Sequence, residues 1–394
     1  MYCNEIILQR GPLLDKRRAY NVLISSIAAQ GRHVDGQDKC LEVLAKLGIR
    51  FPKIGQTFSV LIGILRAKRS LKRTTEQLSN LTRMTDESKI WGMVLLDQLA
   101  ECAYHDSGSA LVPLATFKGL QLTVKYVISE YTPPILAIVG LLLVAVLKDY
   151  KGAKDYAEKA LALLKEPNCR QSESRTLFLV YGFIVHWVSP IEVSIRGHLD
   201  GYYKGIATGD TENASFDKFL YLLTVVMTGR GSLEDIIDDF ENDVNQMVEW
   251  NQLKPSSYTI ILWQVVLNLM GYSENTVVLT GKAMDQEKLL QESLETKNDI
   301  LRFTVSFYRL HVAFIFDQYE IAMEQLEEWN MHKGYLQKAI PGLFASTHLC
   351  FLCALTCISL AQKTKKRKYR KMARSFARAI EEWVEKGNPN VRRY

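Results

Sequence analysis

Proline and glycine are scarce in this chain. Only 10 prolines and 23 glycines punctuate its 394 residues, fewer than a fold of many short strands and tight hairpins needs. Hydrophobic residues make up 47% and charged residues 23% of the sequence, which is the balance of a folded globular protein and not of a disordered one. The composition therefore favours helices that enclose a substantial core.

The chain also lacks a strong excess of either charge. Its 49 basic residues are offset by 43 acidic ones, which leaves a formal net charge of +6, so we expect no nucleic-acid partner. The amino terminus, residues 1–20, has charges inside its only short apolar run and lacks the layout of a signal peptide. We therefore expect a cytoplasmic protein.

The cysteines are too scattered for a disulfide framework. They lie at Cys3, Cys40, Cys102, Cys169, Cys350, Cys353 and Cys357. An odd, mostly dispersed set favours a reducing compartment. The last three fall along one helical face near His348, where zinc or an iron–sulfur cluster could in principle be bound. That segment is apolar throughout and lacks a fourth ligand at a typical spacing, so we expect core cysteines and no metal.

Two apolar runs are candidates for membrane spans. The first, residues 135–147, is shorter than the roughly 20 residues that a bilayer needs, so it predicts a buried core helix. The second, residues 343–361, is longer, but it contains His348 and several hydroxyl side chains. We expect no membrane partner, with a span at 343–361 as the less favoured alternative.

Helical periodicity dominates the rest of the chain. Apolar residues recur at steps of three and four in the segments 38–47, 88–104, 155–166, 232–250 and 371–387. Ser232 precedes the fourth segment as a capping residue, and Gly387 with Pro389 forms a stop signal after the last. No persuasive pair of alternating strands occurs, so we predict an all-α fold.

Four segments approximate the second half of a tetratricopeptide unit, in which a tight turn, an aromatic residue and a small residue precede a helix. They carry Gly31 with Gly36, Tyr150 with Ala153, Gly209 and Asp210 with Ala214, and Tyr319 with Ala322. Because a helix pair cannot bury its apolar face alone, they predict an α-solenoid of stacked, degenerate tetratricopeptide-like helix pairs. We predict an N-terminal segment at 1–20 and a continuous array at 21–394, with a soft boundary near 167–175. The small residues are interpreted as packing residues.

No motif for catalysis or cofactor binding stands out. The segments closest to a phosphate-binding loop, residues 228–232 (TGRGS) and 280–283 (TGKA), lack its spacing or its hydroxyl. His186, beside Trp187 in an apolar stretch, is interpreted as a buried histidine with one hydrogen-bond partner and not as a general base. We therefore predict no catalytic, cofactor-binding or metal-binding residues, no cofactor and no enzyme activity.

One basic run, residues 363–371 (KTKKRKYRK), interrupts the even distribution of charge. Such a run could serve nuclear import, a nucleic acid or an acidic membrane surface. Charged runs at the start of a helix are usually solvated, and Glu381, Glu382 and Glu385 balance this one nearby. We therefore expect a solvated helix face here, as for the acidic stretch 234–249.

Five blocks in a fixed order resemble the helical, tetratricopeptide-like region that follows the AAA-type signal-transduction ATPase module in very large multidomain signalling proteins. They are residues 41–52, 81–104, 183–195, 201–216 and 381–390, within a resemblance that covers about residues 20–392. One departure is Gly36, which stands where alanine is common. The resemblance implies a sensing or coupling arm between the ATPase and GAF, histidine kinase or cyclase output domains.

From this resemblance we predict a non-catalytic scaffold for protein interaction or regulation in signal transduction. Its partner proteins would bind the helical surface, whose concave stacks suit such contacts. The chain would be a fragment or a stand-alone relative of a signalling ATPase. The alternative is part of an ATPase, kinase or cyclase whose catalytic domains lie outside this chain.

Overall fold

A computed structural model describes residues 2–30, 32–52, 55–78, 84–104, 110–126, 128–296, 298–331 and 342–392, and these contain helices and no β-strand. The helices are α1 Tyr2–Leu8, α2 Arg17–Ala29, α3 His33–Lys46, α4 Gln56–Leu78, α5 Glu87–Tyr104, α6 Leu111–Tyr126, α7 Thr132–Leu142, α8 Tyr150–Leu163, α9 Glu173–Phe183, α10 Ile191–Thr208, α11 Thr211–Thr228, α12 Leu233–Glu249, α13 Leu253–Leu269, α14 Gln286–Glu295, α15 Asp299–Ile315, α16 Tyr319–Glu328, α17 Ala345–Thr364 and α18 Arg367–Glu385. The predicted all-α fold is confirmed.

The five periodic segments correspond to α3, α5, α8, α12 and α18. The observed α8 begins at Tyr150, earlier than predicted, because the Asp149 carboxylate accepts a hydrogen bond from the backbone N–H of Gly152 and caps the helix there. Ser232 caps α12 in the same way by accepting from the backbone N–H of Glu234. Helix α18 begins at Arg367, so it includes much of the basic run.

The structure divides into two compact units, unit 1 (Met1–Thr176) and unit 2 (Leu177–Tyr394). In unit 1, helices α2, α3 and α5 enclose an apolar cluster that includes Ile24, Leu44 and Leu95. Helix α3 approaches α5 so closely at Gly36 that a Cβ atom there would lie only 2.9 Å from Cys102 Sγ. The Tyr156 hydroxyl donates to the Ala67 carbonyl at 2.7 Å and ties α8 to α4.

The small residues singled out in the sequence lie near the start of the second helix of a pair. Ala153, Ala214 and Ala322 are fully buried on α8, α11 and α16, and each of these helices packs against the helix before it. Between α10 and α11, Gly209 adopts a left-handed conformation (φ 77°) that ends the first helix. Gly31 lies outside the described residues.

The carboxyl-terminal segment of unit 2 packs against the beginning of that unit. The Asn390 side-chain amide donates to the carbonyls of His186 at 2.6 Å and Ser189 at 2.9 Å, and its oxygen accepts from the Ile191 N–H at 3.0 Å. The Trp187 ring lies 5.7 Å from the Trp383 ring. A stack held together by sequence neighbours alone has no such contacts, and the predicted solenoid arrangement of tetratricopeptide-like pairs is not confirmed. The continuous array over 21–394 stays a prediction.

Among the described residues, α17 is the one helix long and apolar enough to cross a membrane. Its most apolar window has a mean hydropathy of 1.4, and 67% of that window is buried inside the protein. Core helices of globular proteins have the same properties, so this single helix is weak evidence for the span considered at 343–361. The other apolar run forms the shorter helix α7 and a π-helical turn, Leu143–Leu147.

Candidate functional site

A groove of about 910 Å³ opens on unit 2 between helix α14 and the irregular loop that follows α13. It is lined by residues 272–275, 278, 280, 281, 285–287, 290, 291 and 294. We call this surface the 272–294 groove. Its volume lies within the range of pockets that bind small molecules or peptide side chains.

Two buried amide side chains of α13 hold the loop wall of this groove in place. The two N–H groups of the Asn268 amide are shared among three carbonyls, those of Asn275 and Thr276 at 3.1 Å each and that of Val278 at 2.8 Å. The Gln264 oxygen accepts from the backbone N–H of Ala283 at 3.0 Å. Because the Gln264 and Asn268 side chains are buried, breaking these hydrogen bonds would leave their polar groups unpaired in the core. The loop is therefore a fixed wall although it has no regular secondary structure.

Gln264 and Asn268 also bind each other and a third residue. The Gln264 Nε2 atom lies 2.9 Å from both Asn268 Oδ1 and Ser273 Oγ. Gly281 leaves room for these hydrogen bonds, because a Cβ atom at this position would lie 2.7 Å from Gln264 Nε2. Residues 280–283, considered as a phosphate loop in the sequence, thus lie in this wall.

The charged side chains that line the groove are all acidic. Glu274, Asp285 and Glu287 are exposed, and the described lining contains no lysine, arginine, histidine or cysteine. Lys282 lies on the same loop, but its ammonium group binds the Glu241 carboxylate at 2.6 Å. The groove therefore presents a negative potential that its own loop does not neutralise.

Apolar side chains complete the groove. Leu294 and Tyr272 are 59% and 67% exposed, and Leu290 is half-buried beside them. Exposed leucine and tyrosine side chains beside carboxylates suit a ligand that is both cationic and partly apolar. This combination fits a basic segment of a protein better than a phosphorylated or anionic ligand.

A histidine–carboxylate pair lies in the core of unit 2 and was not found from the sequence. His198 Nδ1 on α10 is 2.7 Å from Asp217 Oδ1 on α11, and both side chains are at most 2% exposed. Burial lowers the pKa of His198 to about 3 and raises that of Asp217 well above its usual value. A Cβ atom at Gly201 would lie 2.2 Å from Asp217 Oδ2, so glycine is required there.

The space next to this pair is too small for a substrate. The adjoining cavity has a volume of about 10 Å³ and is lined in part by His186, Ser194 and His198, which is room for about one water molecule. A reaction centre needs access for the reacting molecule, so we interpret the pair as a core interaction between α10 and α11.

His186 is buried, as predicted, with 1% exposure. Burial lowers its pKa to about 4, and nearby carbonyls of Tyr181 and Gly342 partly oppose that shift. Neither ring nitrogen makes a hydrogen bond of normal geometry to a described residue. The single hydrogen-bond partner predicted for His186 is therefore not found at normal geometry among the described residues. The ring packs 5.4 Å from Trp187 and 5.9 Å from Phe344.

The three clustered cysteines are core residues of α17. Cys350, Cys353 and Cys357 are fully buried, and burial raises the pKa of Cys350 and of Cys357 to about 12. The His348 Nε2 atom lies 3.2 Å from His311 Nδ1. Within the described residues, no group of three or more histidine, cysteine, aspartate or glutamate side chains is arranged to hold a metal ion.

The remaining sequence motifs form helix ends. In residues 228–232, Gly229 ends α11 in a left-handed conformation and Ser232 caps α12. The acidic stretch 234–249 is helix α12, whose outer face is exposed. The basic run ends α17 and begins α18.

The 272–294 groove was not predicted from the sequence. Its wall has no periodicity, which hides it from a search for helices and strands. A usable signal was present in α13, where Gln264 and Asn268 interrupt an apolar segment four residues apart. Buried amides in such a place must find partners, so they indicate that irregular backbone packs against that face.

Two comparisons with known proteins give no match. No protein-family model matches the chain, and no curated protein matches it either. The resemblance to the helical region of signalling ATPases therefore stays a prediction that rests on the five blocks of sequence.

Proposed function

We propose that this chain is a non-catalytic, cytoplasmic helical scaffold that binds a partner protein through the 272–294 groove. The observation that carries the proposal is the groove itself, with three carboxylates, exposed apolar side chains and a wall fixed by Gln264 and Asn268. A preformed wall lowers the ordering cost of binding. The partner would insert a basic segment with at least one apolar side chain.

The role in signal transduction, as a coupling arm related to the helical region of signalling ATPases, is part of the same proposal. Its support is the order of the five sequence blocks together with an all-helical architecture. We further propose that the helix pairs are degenerate tetratricopeptide-like units. In unit 2, α11 packs on α13 and α13 on α15, in addition to the contacts within pairs, which is the neighbour pattern of stacked repeats.

Selection of peptides from a random displayed library against the purified full chain tests the proposed partner chemistry. We expect the selected peptides to be enriched in lysine or arginine with a leucine or aromatic residue nearby. The double variant Glu274→Lys/Glu287→Lys should weaken their binding about tenfold or more, because it places like charges opposite the peptide.

A matched control uses Glu292→Lys, which reverses an exposed charge of α14 outside the groove lining. It should bind the selected peptides about as well as the original chain. Acidic or uncharged selected peptides, or equal loss of binding in the control and the groove variant, would rule out the groove as the binding surface.

A further inference from the structure

The outward face of α18 carries a continuous row of cations that the proposed groove does not use. We call this row the α18 stripe; its members are Arg367, Arg370, Lys371, Arg374 and Arg378. At 3.6 residues per turn these positions fall within an arc of about 100° and extend over about 16 Å of helix axis. All five side chains are exposed, so their charges form one surface.

The opposite face of the helix fixes the direction of this stripe. Tyr369, Phe376 and Trp383 are buried at 9%, 5% and 4% exposure, and α18 packs along α17. Rotation of the helix would expose these aromatic side chains to water, which is unfavourable. The stripe is therefore held toward the solvent.

The cations of the stripe have no carboxylate partner among the described residues. The neighbouring lysines differ, since Lys363 pairs with Glu320 and Lys368 with Glu327 at 3.2 Å. Lys365 and Lys366, in the turn before α18, are exposed, and no described carboxylate forms an ion pair with them either. Seven neighbouring positive charges without an ion pair to a described residue leave a strong local potential, which the small net charge of the whole chain conceals.

We propose that the α18 stripe, with Lys365 and Lys366, binds the phosphate backbone of a nucleic-acid strand without regard to base sequence. Guanidinium groups make two parallel hydrogen bonds to phosphate oxygens, which suits a row that is mainly arginine. Binding releases counterions condensed on the polyanion, and that release alone supports non-specific association. The aromatic side chains of α18 named above are buried, so bases find no stacking surface there and the sequence is not read.

The surroundings of the stripe favour a narrow polyanion over an acidic membrane. Glu320 and Glu327 of α16 lie on one side, where they hold Lys363 and Lys368, and Glu381 and Glu385 continue the stripe beyond Arg378. A planar anionic membrane would contact these carboxylates together with the stripe, and their negative charges would repel it. A single strand can follow the cations alone.

Fluorescence anisotropy of a dye-labelled 20-nucleotide oligothymidine with the full-length chain tests the proposal across a series of salt concentrations. The logarithm of the binding constant should fall with the logarithm of the salt concentration with a slope between about −3 and −5, for four to seven phosphate contacts. The variant Arg370→Glu/Arg374→Glu should bind at least about thirtyfold more weakly at low salt, with a slope shallower by about 1.4.

The variant Lys151→Glu/Arg196→Glu is the matched control, because it reverses two exposed cations outside the stripe. It should change binding less than about threefold, since its charges make no phosphate contact. Circular dichroism melts of all chains should coincide, because the altered side chains are exposed.

Three results would overturn the proposal. One is the absence of salt-dependent binding to the oligonucleotide, and another is equal weakening by the stripe and control variants. The third is co-sedimentation with phosphatidylserine vesicles that depends on Arg370 and Arg374 while the oligonucleotide stays unbound, since a membrane would then be the partner of the stripe.

Discussion

The two units differ in what joins distant parts of their chains. Unit 1 contains an apolar cluster of α2, α3 and α5. Its polar contacts over long sequence distances include the Tyr156 hydroxyl on the Ala67 carbonyl and the Gln37 amide on the Cys102 carbonyl, and both join one helix to another. In unit 2, buried polar side chains with several hydrogen bonds join segments that have no regular structure, as Asn390 and Asn268 do. An apolar contact tolerates small shifts, whereas a buried hydrogen bond fixes position and direction.

This difference explains why the groove lies in unit 2. A binding surface built from an irregular loop needs a wall that keeps its form, and buried amides supply it through donors and acceptors aimed at particular backbone atoms. The same dependence makes these irregular segments of unit 2 sensitive to the loss of one polar side chain, because the partners left behind remain buried and unpaired.

The largest effect is expected from Asn390→Leu in unit 2. It removes three hydrogen bonds and leaves the Ile191 N–H and the carbonyls of His186 and Ser189 without their partner. We expect a loss of about 3–5 kcal/mol in the free energy of unfolding of unit 2. Urea denaturation, monitored by hydrogen exchange and mass spectrometry, measures the free energy of unfolding of each unit. Asn245→Leu, at an exposed position of α12, should cost less than about 0.5 kcal/mol, and equal costs would contradict the role of Asn390.

Acidification should destabilise unit 2 through its buried histidines. Burial lowers the pKa of His186 to about 4 and that of His311 to about 3 from 6.5. Unfolding lets these rings bind protons, so their contribution to stability is complete above pH 6.5. It is lost as the pH falls from 6.5 to about 4 for His186 and to about 3 for His311. For His186 alone the change is about 3 kcal/mol.

Melting curves of His186→Phe between pH 7 and pH 4 check this expectation. The variant keeps an aromatic ring beside Trp187 but cannot bind a proton, so its stability should depend less on pH than that of the original chain. Identical pH profiles would show that His186 does not contribute in this way.

A smaller and more local effect is expected from Asn268→Leu. It removes the donor to the carbonyls of Asn275, Thr276 and Val278, so we expect a loss of about 2–3 kcal/mol concentrated in the groove wall. Hydrogen exchange should speed up in residues 272–285 while α17 stays protected. Binding of the selected basic peptides should weaken as the wall becomes mobile, and unchanged exchange in the wall would show that other contacts hold it.

The smallest effect is expected in unit 1, from Tyr156→Phe. The change removes one hydrogen bond, to the Ala67 carbonyl, and keeps the ring that fills the core. We expect a loss of about 1 kcal/mol in the free energy of unfolding of unit 1. A loss of unfolding free energy as large as that of Asn390→Leu, measured by the same urea titration, would contradict the proposed difference between these contacts of the two units.

Much of the helical structure could be predicted from the sequence, because local periodicity and capping residues determine it. Ser232 caps α12 as predicted, and the segments at 88–104 and 232–250 nearly coincide with α5 and α12. The cap at Asp149, which begins α8 before the predicted segment, was not predicted. Burial of Ala153 and Ala214 also agrees with their interpretation as packing residues.

The contacts that close unit 2 could not be predicted in this way. Asn390 and Ile191 are 199 positions apart, and no local sequence pattern around either residue indicates that the two are in contact. The 272–294 groove has the same origin, since its wall depends on where Gln264 and Asn268 point. The α18 stripe could be predicted in principle, because helical spacing alone places its arginines on one face, but the nearby Glu381, Glu382 and Glu385 favoured a solvated helix face without a partner.

Hydrogen exchange of the full chain, with and without the tightest selected basic peptide, tests the proposed scaffold function most directly. We expect added protection confined to residues 270–295, with unit 1 and α18 unchanged. Protection that appears in unit 1 or along α18 while the groove stays unprotected would contradict it.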